Sequence, residues 1–435
     1  MLVVGGIVGA GIFLNPAVVA QRAPTAFLTI GVWVLGGAVA LAGAFIFAEL
    51  GALKPEAGGG YVYLRDGLSP MVGFLYGWTE LLVINSGGIA AVAVTFASYT
   101  ADLTGASRVM IPWLAIAAIA LLSGVNLLGI KTGAIAQNIL TVLKLLALAA
   151  LILVGLVGLG GLGVPGGPAQ ATAGSVGTVG VLVAIGTGLV PVLFAYGGWQ
   201  STNFVAAELR EPRRDLPRAL VLGVAIVVLV YVLANVVYVK VLGVGGLAAS
   251  TAPASDVMRG LIGPWGATFI ALGIAVSTFG FLNLAILSAP RVYQAMAADG
   301  VFFGRAAKLN PRYHVPAIAI LIQGAWAALL IATKTYGDLL DYVVFGDWIF
   351  FGLVGVTLFV YRSRQPTGPS GLSFRCPGYP WVPGFFVLAA AFAVVSAVLS
   401  NPLNAAIGGA IILAGIPAFL GWRRAASRAS RPTSP

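Results

Sequence analysis

Long apolar runs alternate with short polar breaks along the whole chain, and that alternation is its dominant signal. Twelve runs are long enough to cross about 30 Å of hydrocarbon as helices. They cover residues 1–21, 27–50, 70–101, 110–129, 132–157, 178–208, 217–241, 264–297, 315–333, 339–361, 381–400 and 403–422. The pattern predicts an all-α integral membrane protein with twelve transmembrane helices.

Two runs carry a flaw that a membrane helix normally avoids. In the sixth, Tyr196-Gly197-Gly198 interrupts a helical pattern, and in the first, Gly9-Ala10-Gly11 does so near mid-membrane. Glycine costs about 1 kcal/mol relative to alanine inside a helix. In hydrocarbon an unwound turn is tolerated only where its backbone is buried in protein or lines a watery cavity. Helix packing, as through Gly5-x-x-x-Gly9 in the first span, explains either cluster taken singly, but not the pair in register. Corresponding breaks five spans apart point to the substrate site of an inverted-repeat transporter, and because five is odd the second half runs with opposite topology.

The chemistry of such breaks suits a zwitterion. Unpaired N–H groups at the start of a half-helix attract an anion, and unpaired carbonyls at its end attract a cation. The expected carboxylate contacts are the amides of Ala10, Gly11 and Ile12, next to Gly9. The expected ammonium contacts are the carbonyls near Ile7 and those of Phe194 and Ala195, beside Gly197.

Composition confirms the class and removes others. Of 435 residues, 59% are hydrophobic and 9% charged, with a mean hydropathy of +1.00, where a soluble domain carries roughly 25% charged residues. The net charge of +11 does not indicate nucleic acid, because the basic residues fall in short loops that set topology. With the N-terminus inside, 18 of the 24 lysines and arginines face the cytoplasm. Arg22, Arg108, Lys240, Arg259 and Lys334 face outward, and Lys144 lies within a helix. That bias supports twelve spans with both termini inside. A single cysteine, Cys376, excludes an intramolecular disulfide, and a single histidine, His314, argues against a histidine-rich metal site, so no metal or cofactor is expected. An intramembrane enzyme would need a catalytic constellation that one loop histidine does not supply.

The ends and loops add three expectations. Met1-Leu2-Val3-Val4 is apolar with no basic region before it, so the start reads as a retained first helix lacking its cytoplasmic leader. Gly158 to Gly177 reads as an external linker, and Gly243 to Gly263 as a loop holding a short surface helix. Residues 423–435 are basic and rich in Ser and Pro, and read as a disordered cytoplasmic tail.

The motifs carry a family resemblance. Gly9-Ala10-Gly11-Ile12-Phe13, followed by Pro16, resembles the first-helix signature of the amino acid–polyamine–organocation (APC) superfamily transporters. Phe194-Ala195-Tyr196-Gly197-Gly198-Trp199, with Asn203-Phe204-Val205 and the segment from Glu208 to Pro217, is similar to the sixth helix of their L-type amino acid transporter branch. Glu49-Leu50-Gly51, Pro55 to Gly59, Gly77-Trp78, Leu140 to Lys144, Ser277-Thr278 and Asn283 to Arg291 extend the resemblance over nearly the whole chain.

The resemblance implies a 5+5 inverted-repeat transporter fold with discontinuous helices 1 and 6. The first five-helix repeat is 1–157, the inverted second repeat 178–361, and helices 11 and 12 occupy 381–422. It makes Phe194 an aromatic gate that closes over the substrate. It sends Lys144 toward helices one and eight, where sodium-driven relatives bind Na⁺, as a fixed cation with Ser277 and Thr278 nearby. Ala10 stands where many relatives have Ser, so backbone amides alone must hold the carboxylate.

Other polar residues in apolar runs need an account. Lys144 lies too deep to snorkel, so its ammonium needs a partner or must lose its proton. Glu80 and Asp347 are the remaining intramembrane acids. Asp347 is expected in the outer vestibule, as a proton-coupling group, an anchor for cationic substrates or a structural partner. Glu49 and Glu208, beside basic loops, read as gate or loop salt bridges. Trp199, Asn203 and Asn283 are candidates for the side-chain pocket.

The expected function is secondary active transport of L-amino acids across the cytoplasmic membrane by alternating access, as exchanger or proton-coupled symporter. Neutral substrates are expected because no pair of carboxylates converges on the two breaks. A cationic amino acid or polyamine carrier and a non-transporting amino acid sensor are the alternatives. The expected partners are the amino acid, the lipid bilayer and, in a symporter, protons. The sequence leaves the oligomeric state open.

Overall fold

The computed structural model describes residues 1–161, 178–333, 336–364 and 373–429. Regular structure among the described residues is entirely helical. Nine helices there are long and apolar enough to cross a membrane, and Gly180–Tyr196 and Ala317–Thr333 are shorter apolar helices. The first span, split into Leu2–Ile7 and Gly11–Arg22, completes the twelve.

Span ends follow local chemistry. Thr25 and Ser69 cap the second and third spans, their hydroxyls accepting from the amides of Leu28 (3.2 Å) and Val72 (3.3 Å). Proline occupies the first turn of the third, seventh and eighth spans, where its missing N–H costs nothing. Gly105, left-handed at φ 71°, ends the third.

The arrangement has internal symmetry. The first span packs on the sixth, the second on the seventh, the third on the eighth and the fourth on the ninth. Each therefore touches the span five places later, as two inverted halves do about a shared axis. Large apolar side chains such as Trp113, Leu153 and Leu388 point outward, 62–72% exposed. So wide an apolar perimeter is a lipid-facing surface.

Several expectations are corrected. The sixth span stops being a long helix at Tyr196, and beyond it lie only one turn, Ser201–Phe204, and a 3₁₀ turn, Ala206–Glu208. Two glycines followed by short polar residues leave too few apolar contacts to rebuild a helix there. The third span, Pro70 to Thr104, contains a π-helical turn at Glu80–Ile84. The seventh extends over Pro212–Ala249 with a non-helical Gly243 (φ 69°, ψ 163°). A short helix, Gly60–Gly67, fills the connection between the second and third spans, and Pro253–Ile262 forms the expected loop helix. The twelfth span runs on as helix through Ala429, past the start expected for a disordered tail, and 430–435 lie outside the described residues. The fifth span continues to Gly161, and the rest of the expected linker, 162–177, also lies outside them.

Candidate functional site

The first break is built by its glycines. The helix Leu2–Ile7 ends at an extended Val8 (φ −72°, ψ 96°), and a new helix starts at Gly11 with Ala10 as its N-cap and no side chain capping it. The amides of Phe13 and Leu14 turn back to the Ala10 carbonyl at 3.1 and 3.2 Å. The amides of Gly11 and Ile12 are left without a carbonyl in their own helix, the situation that favours an anion.

The carbonyls released on the other side of the break are taken by side chains. Lys144, fully buried in the fifth span, donates from Nζ to Gly5 O at 2.6 Å and Val8 O at 2.7 Å. Ser277 Oγ is 3.4 Å from the same Val8 O. Tyr231 OH donates to Ile7 O at 3.0 Å. The Ile7 carbonyl, expected to hold a substrate ammonium, already accepts one bond. Thr278 does not join Lys144, because its hydroxyl donates to Ile274 O and Ala275 O of its own helix, both at 2.9 Å.

The second break meets the first directly. The sixth-span helix closes with Gly197 N donating to Phe194 O at 3.1 Å, and Gly198 N turns to Gln200 Oε1 at 2.9 Å. Gly198 sits at φ +104°, and a Cβ there would lie 2.2 Å from Gly6 O. A Cβ on Gly11 would lie 2.7 Å from Ala195 Cα. Glycine is required at both positions because the backbones of the two broken spans touch there. Pro191 adds a further lock. It has no N–H for the carbonyl four residues back, and Thr187 O instead accepts from Arg22 Nη1 at 2.7 Å, while Pro191 O accepts from Asn15 Nδ2 at 2.6 Å.

Between the breaks and the third, eighth and tenth spans lies a cavity with an empty volume of about 760 Å³, the space at its mouth included. Ile7, Gly9, Ala10, Gly11, Phe194, Ala195 and Gly197 all line it. Ile12 is buried behind the wall.

Three predicted pocket residues serve packing instead. Trp199 is held edge-on to Phe47 (4.7 Å) and stacked on Phe351 (5.3 Å). Asn203 donates to Phe47 O (3.0 Å) and Tyr63 OH (2.9 Å). Asn283 donates to Gly133 O (3.0 Å) and Gln137 Oε1 (3.2 Å) and accepts from Asn126, tying the fourth, fifth and eighth spans together. Each was placed in the pocket by nearness in sequence to a motif, and each side chain finds its partners elsewhere.

The cavity wall also contains Asn85, Gly88, Gln200, Asp347 and Trp348. Gly88 left no signal in the sequence, since glycine is common in membrane helices. Asp347 did, as an acid in an apolar run, and it lies on the cavity wall. Asn85, beside it, donates to Glu80 Oε2 at 2.5 Å. One carboxylate, Asp347, thus lines the cavity, and a second, Glu80, is bonded to the lining residue Asn85.

Ion pairs gather at the basic end of the bundle. Arg362 grips Glu49 at 2.6 and 3.0 Å, Arg291 meets Glu208 at 2.9 Å, and Arg65 meets Asp299 at 2.6 Å. Glu49 and Glu208 are thus in salt bridges, as expected. Burial works against the Asp66 carboxylate, yet bonds from Arg65 and Lys54 hold it below the usual carboxylate range. Burial, and then Glu49, push the Cys376 thiol up to about 12, so it stays protonated.

The amino acid permease family profile matches residues 1–421. The chain belongs to the amino acid permease family. It is 30% identical over 429 residues to the serine/threonine exchanger SteT of Bacillus subtilis, covering 97% of this chain and 95% of that one. It is 32% identical over 425 residues to large neutral amino acids transporter small subunit 2 of Homo sapiens (96% and 78%). It is 31% identical over 434 residues to Asc-type amino acid transporter 1 of Mus musculus (97% and 80%). These relatives lie in the L-type branch that the sixth-span motif resembles. The permease is a multi-pass membrane transporter of amino acids with the 5+5 inverted-repeat architecture, and its family is not enzymatic.

Proposed function

We propose that the permease exchanges neutral L-amino acids across the cytoplasmic membrane by alternating access. The observation that carries this reading is the cavity bounded on one side by the unpaired amides of Gly11 and Ile12 and on the other by the sixth-span turn. In this reading the amides take the substrate carboxylate, and carbonyls at the two breaks take its ammonium. Phe194, on the wall, is the gate. Residues 1–157 and 178–361 move against one another, with 381–422 beside them and both termini inside.

Lys144 supports exchange over ion-driven uptake. Its ammonium, held at 2.6 and 2.7 Å by two carbonyls of the first break, puts the chain's own cation in the place a co-transported ion would occupy. The relatives named as a serine/threonine exchanger and a large neutral amino acids transporter support neutral substrates.

The test is uptake of labelled neutral amino acids into proteoliposomes, empty or preloaded with unlabelled amino acids, with and without a proton gradient. The reading predicts uptake only into preloaded vesicles. Gradient-driven uptake into empty vesicles would replace exchange with proton symport.

A further inference from the structure

One buried group of acids has no part in the exchange reading. The third span changes from α to π geometry at Glu80–Ile84 and resumes as α-helix at Asn85. The π period of five residues brings Asn85 Nδ2 onto Glu80 Oε2 at 2.5 Å. Glu80 is fully buried, and its Oε1 has no hydrogen-bond partner.

The tenth span brings a second carboxyl to the same place. Asp347 is 8% exposed, lines the cavity with Asn85, and its Oδ1 also lacks a partner. A Cβ on the neighbouring Gly346 would lie 3.2 Å from the side chains of Thr79 and Ile84, so the two spans are in close contact at the π turn. One turn along, Tyr76 and Phe350 pack at 5.5 Å. The buried hydroxyl of Tyr76 interacts with Glu80, and that of Tyr293, another electrostatic neighbour of Glu80, is without a hydrogen-bond partner.

Among the described residues no basic side chain faces these acids. Of the elements packed on the tenth span, the helix Gly60–Gly67 carries Arg65 and Asp66, engaged with Asp299 and Lys54. The second span carries Glu49, paired with the tenth span's own Arg362. The sixth offers Tyr196, and the eleventh has no charged residue. Arg423 and Arg424 of the twelfth lie at the basic end. Lys144 is committed to Gly5 and Val8.

Two neighbouring carboxyls in a low-dielectric interior do not both ionise, because each charge is costly and each opposes the other. A neutral substrate brings no side-chain cation to offset them. We propose that Glu80 and Asp347 together bind one proton at the wall of the substrate cavity, keeping that wall compatible with a neutral amino acid. This rests on the neutral-substrate reading above. Loss of the proton adds a negative charge to the wall, which repels the substrate carboxylate and raises KM while the occupied turnover rate changes less.

Infrared spectroscopy of the whole protein in liposomes tests the proton directly. The wild type should show a protonated-carboxyl stretch at neutral pH that fades as pH rises and is missing from the Glu80→Gln/Asp347→Asn double variant. If the double variant does not fold, each single variant should shift the frequency or the titration of the band, because it removes one carboxyl of the pair. Above the titration point, exchange kinetics should show the wild-type KM rising about tenfold per pH unit, a limb absent from Asp347→Asn and Glu80→Gln. Absence of a protonated-carboxyl band in the wild type overturns the proposal, as does its persistence in the double variant. Uptake of lysine or a diamine that Asp347→Asn abolishes overturns the neutral-substrate part, since the carboxylate left without the proton would then bind a basic substrate. If the wild type exchanges no neutral amino acid, the neutral reading fails by itself, and the infrared result still decides the proton.

Discussion

Replacing Lys144 by alanine removes the one ammonium that holds the first break. Its Nζ makes two bonds, 2.6 Å to Gly5 O and 2.7 Å to Val8 O, with no water-exposed surface. A hydrogen bond to a charged group contributes about 1.5–3 kcal/mol, so the pair holds the Leu2–Ile7 helix to the fifth span with roughly 3–6 kcal/mol. Alternating access requires this helix to move relative to the fifth span, so the bonds belong unequally to the two end states. If about half of that energy is specific to one state, losing it shifts the equilibrium by about 1.5–3 kcal/mol, roughly ten- to a hundredfold. Lys144→Ala should therefore lower the initial rate of exchange in proteoliposomes by about one to two orders of magnitude. Its melting temperature in detergent should fall too, because Gly5 O is left buried without a donor while Val8 O keeps only Ser277. Lys144→Arg should recover little, since a planar guanidinium does not fit two carbonyls arranged for a point charge. A Lys144→Ala variant that exchanges at the wild-type rate and melts at the wild-type temperature would refute the reasoning.

Two further substitutions address the breaks. Gly198→Ala adds a left-handed-backbone cost of about 1–2 kcal/mol and a Cβ that would sit 2.2 Å from Gly6 O. It should abolish exchange while circular dichroism still reports a helical protein, and wild-type exchange would show that the breaks need not touch. Phe194→Ala removes the proposed gate from the cavity wall and should abolish exchange while sparing expression. Full activity in that variant would remove the gate assignment.

The twelve spans and both breaks were legible in the sequence because they are local. An apolar run of sufficient length, or adjacent glycines within one, states its conformation without reference to the rest of the chain. Lys144 was legible for a related reason, since an ammonium buried in an apolar run must find acceptors, and the nearest loose carbonyls belong to the broken helix. The errors in the pocket concern contacts between distant segments. Trp199 and Asn203 follow the second break by only a few residues, yet their partners Phe47 and Tyr63 lie on the second span and the short helix after it. Asn283 bonds to the fourth and fifth spans, about 150 residues away. The convergence of Glu80 and Asp347 depends on the π turn, which rotates the face of the third span and has no sequence signature here. The helix Gly60–Gly67 was missed because it is amphipathic and short, between glycines that read as loop.

The most direct test of the account is filling the cavity without disturbing its walls. Gly88 lines the cavity on the third span, and a Cβ built on it meets nothing within 4 Å. Gly88→Leu therefore puts a side chain into the proposed substrate space while replacing a poor helix former, worth up to about 1 kcal/mol of added helix stability. The measurement is binding of a labelled neutral amino acid to the purified variant, beside its melting temperature. Loss of binding with an unchanged or raised melting temperature is predicted; wild-type affinity in Gly88→Leu would show that the amino acid binds elsewhere.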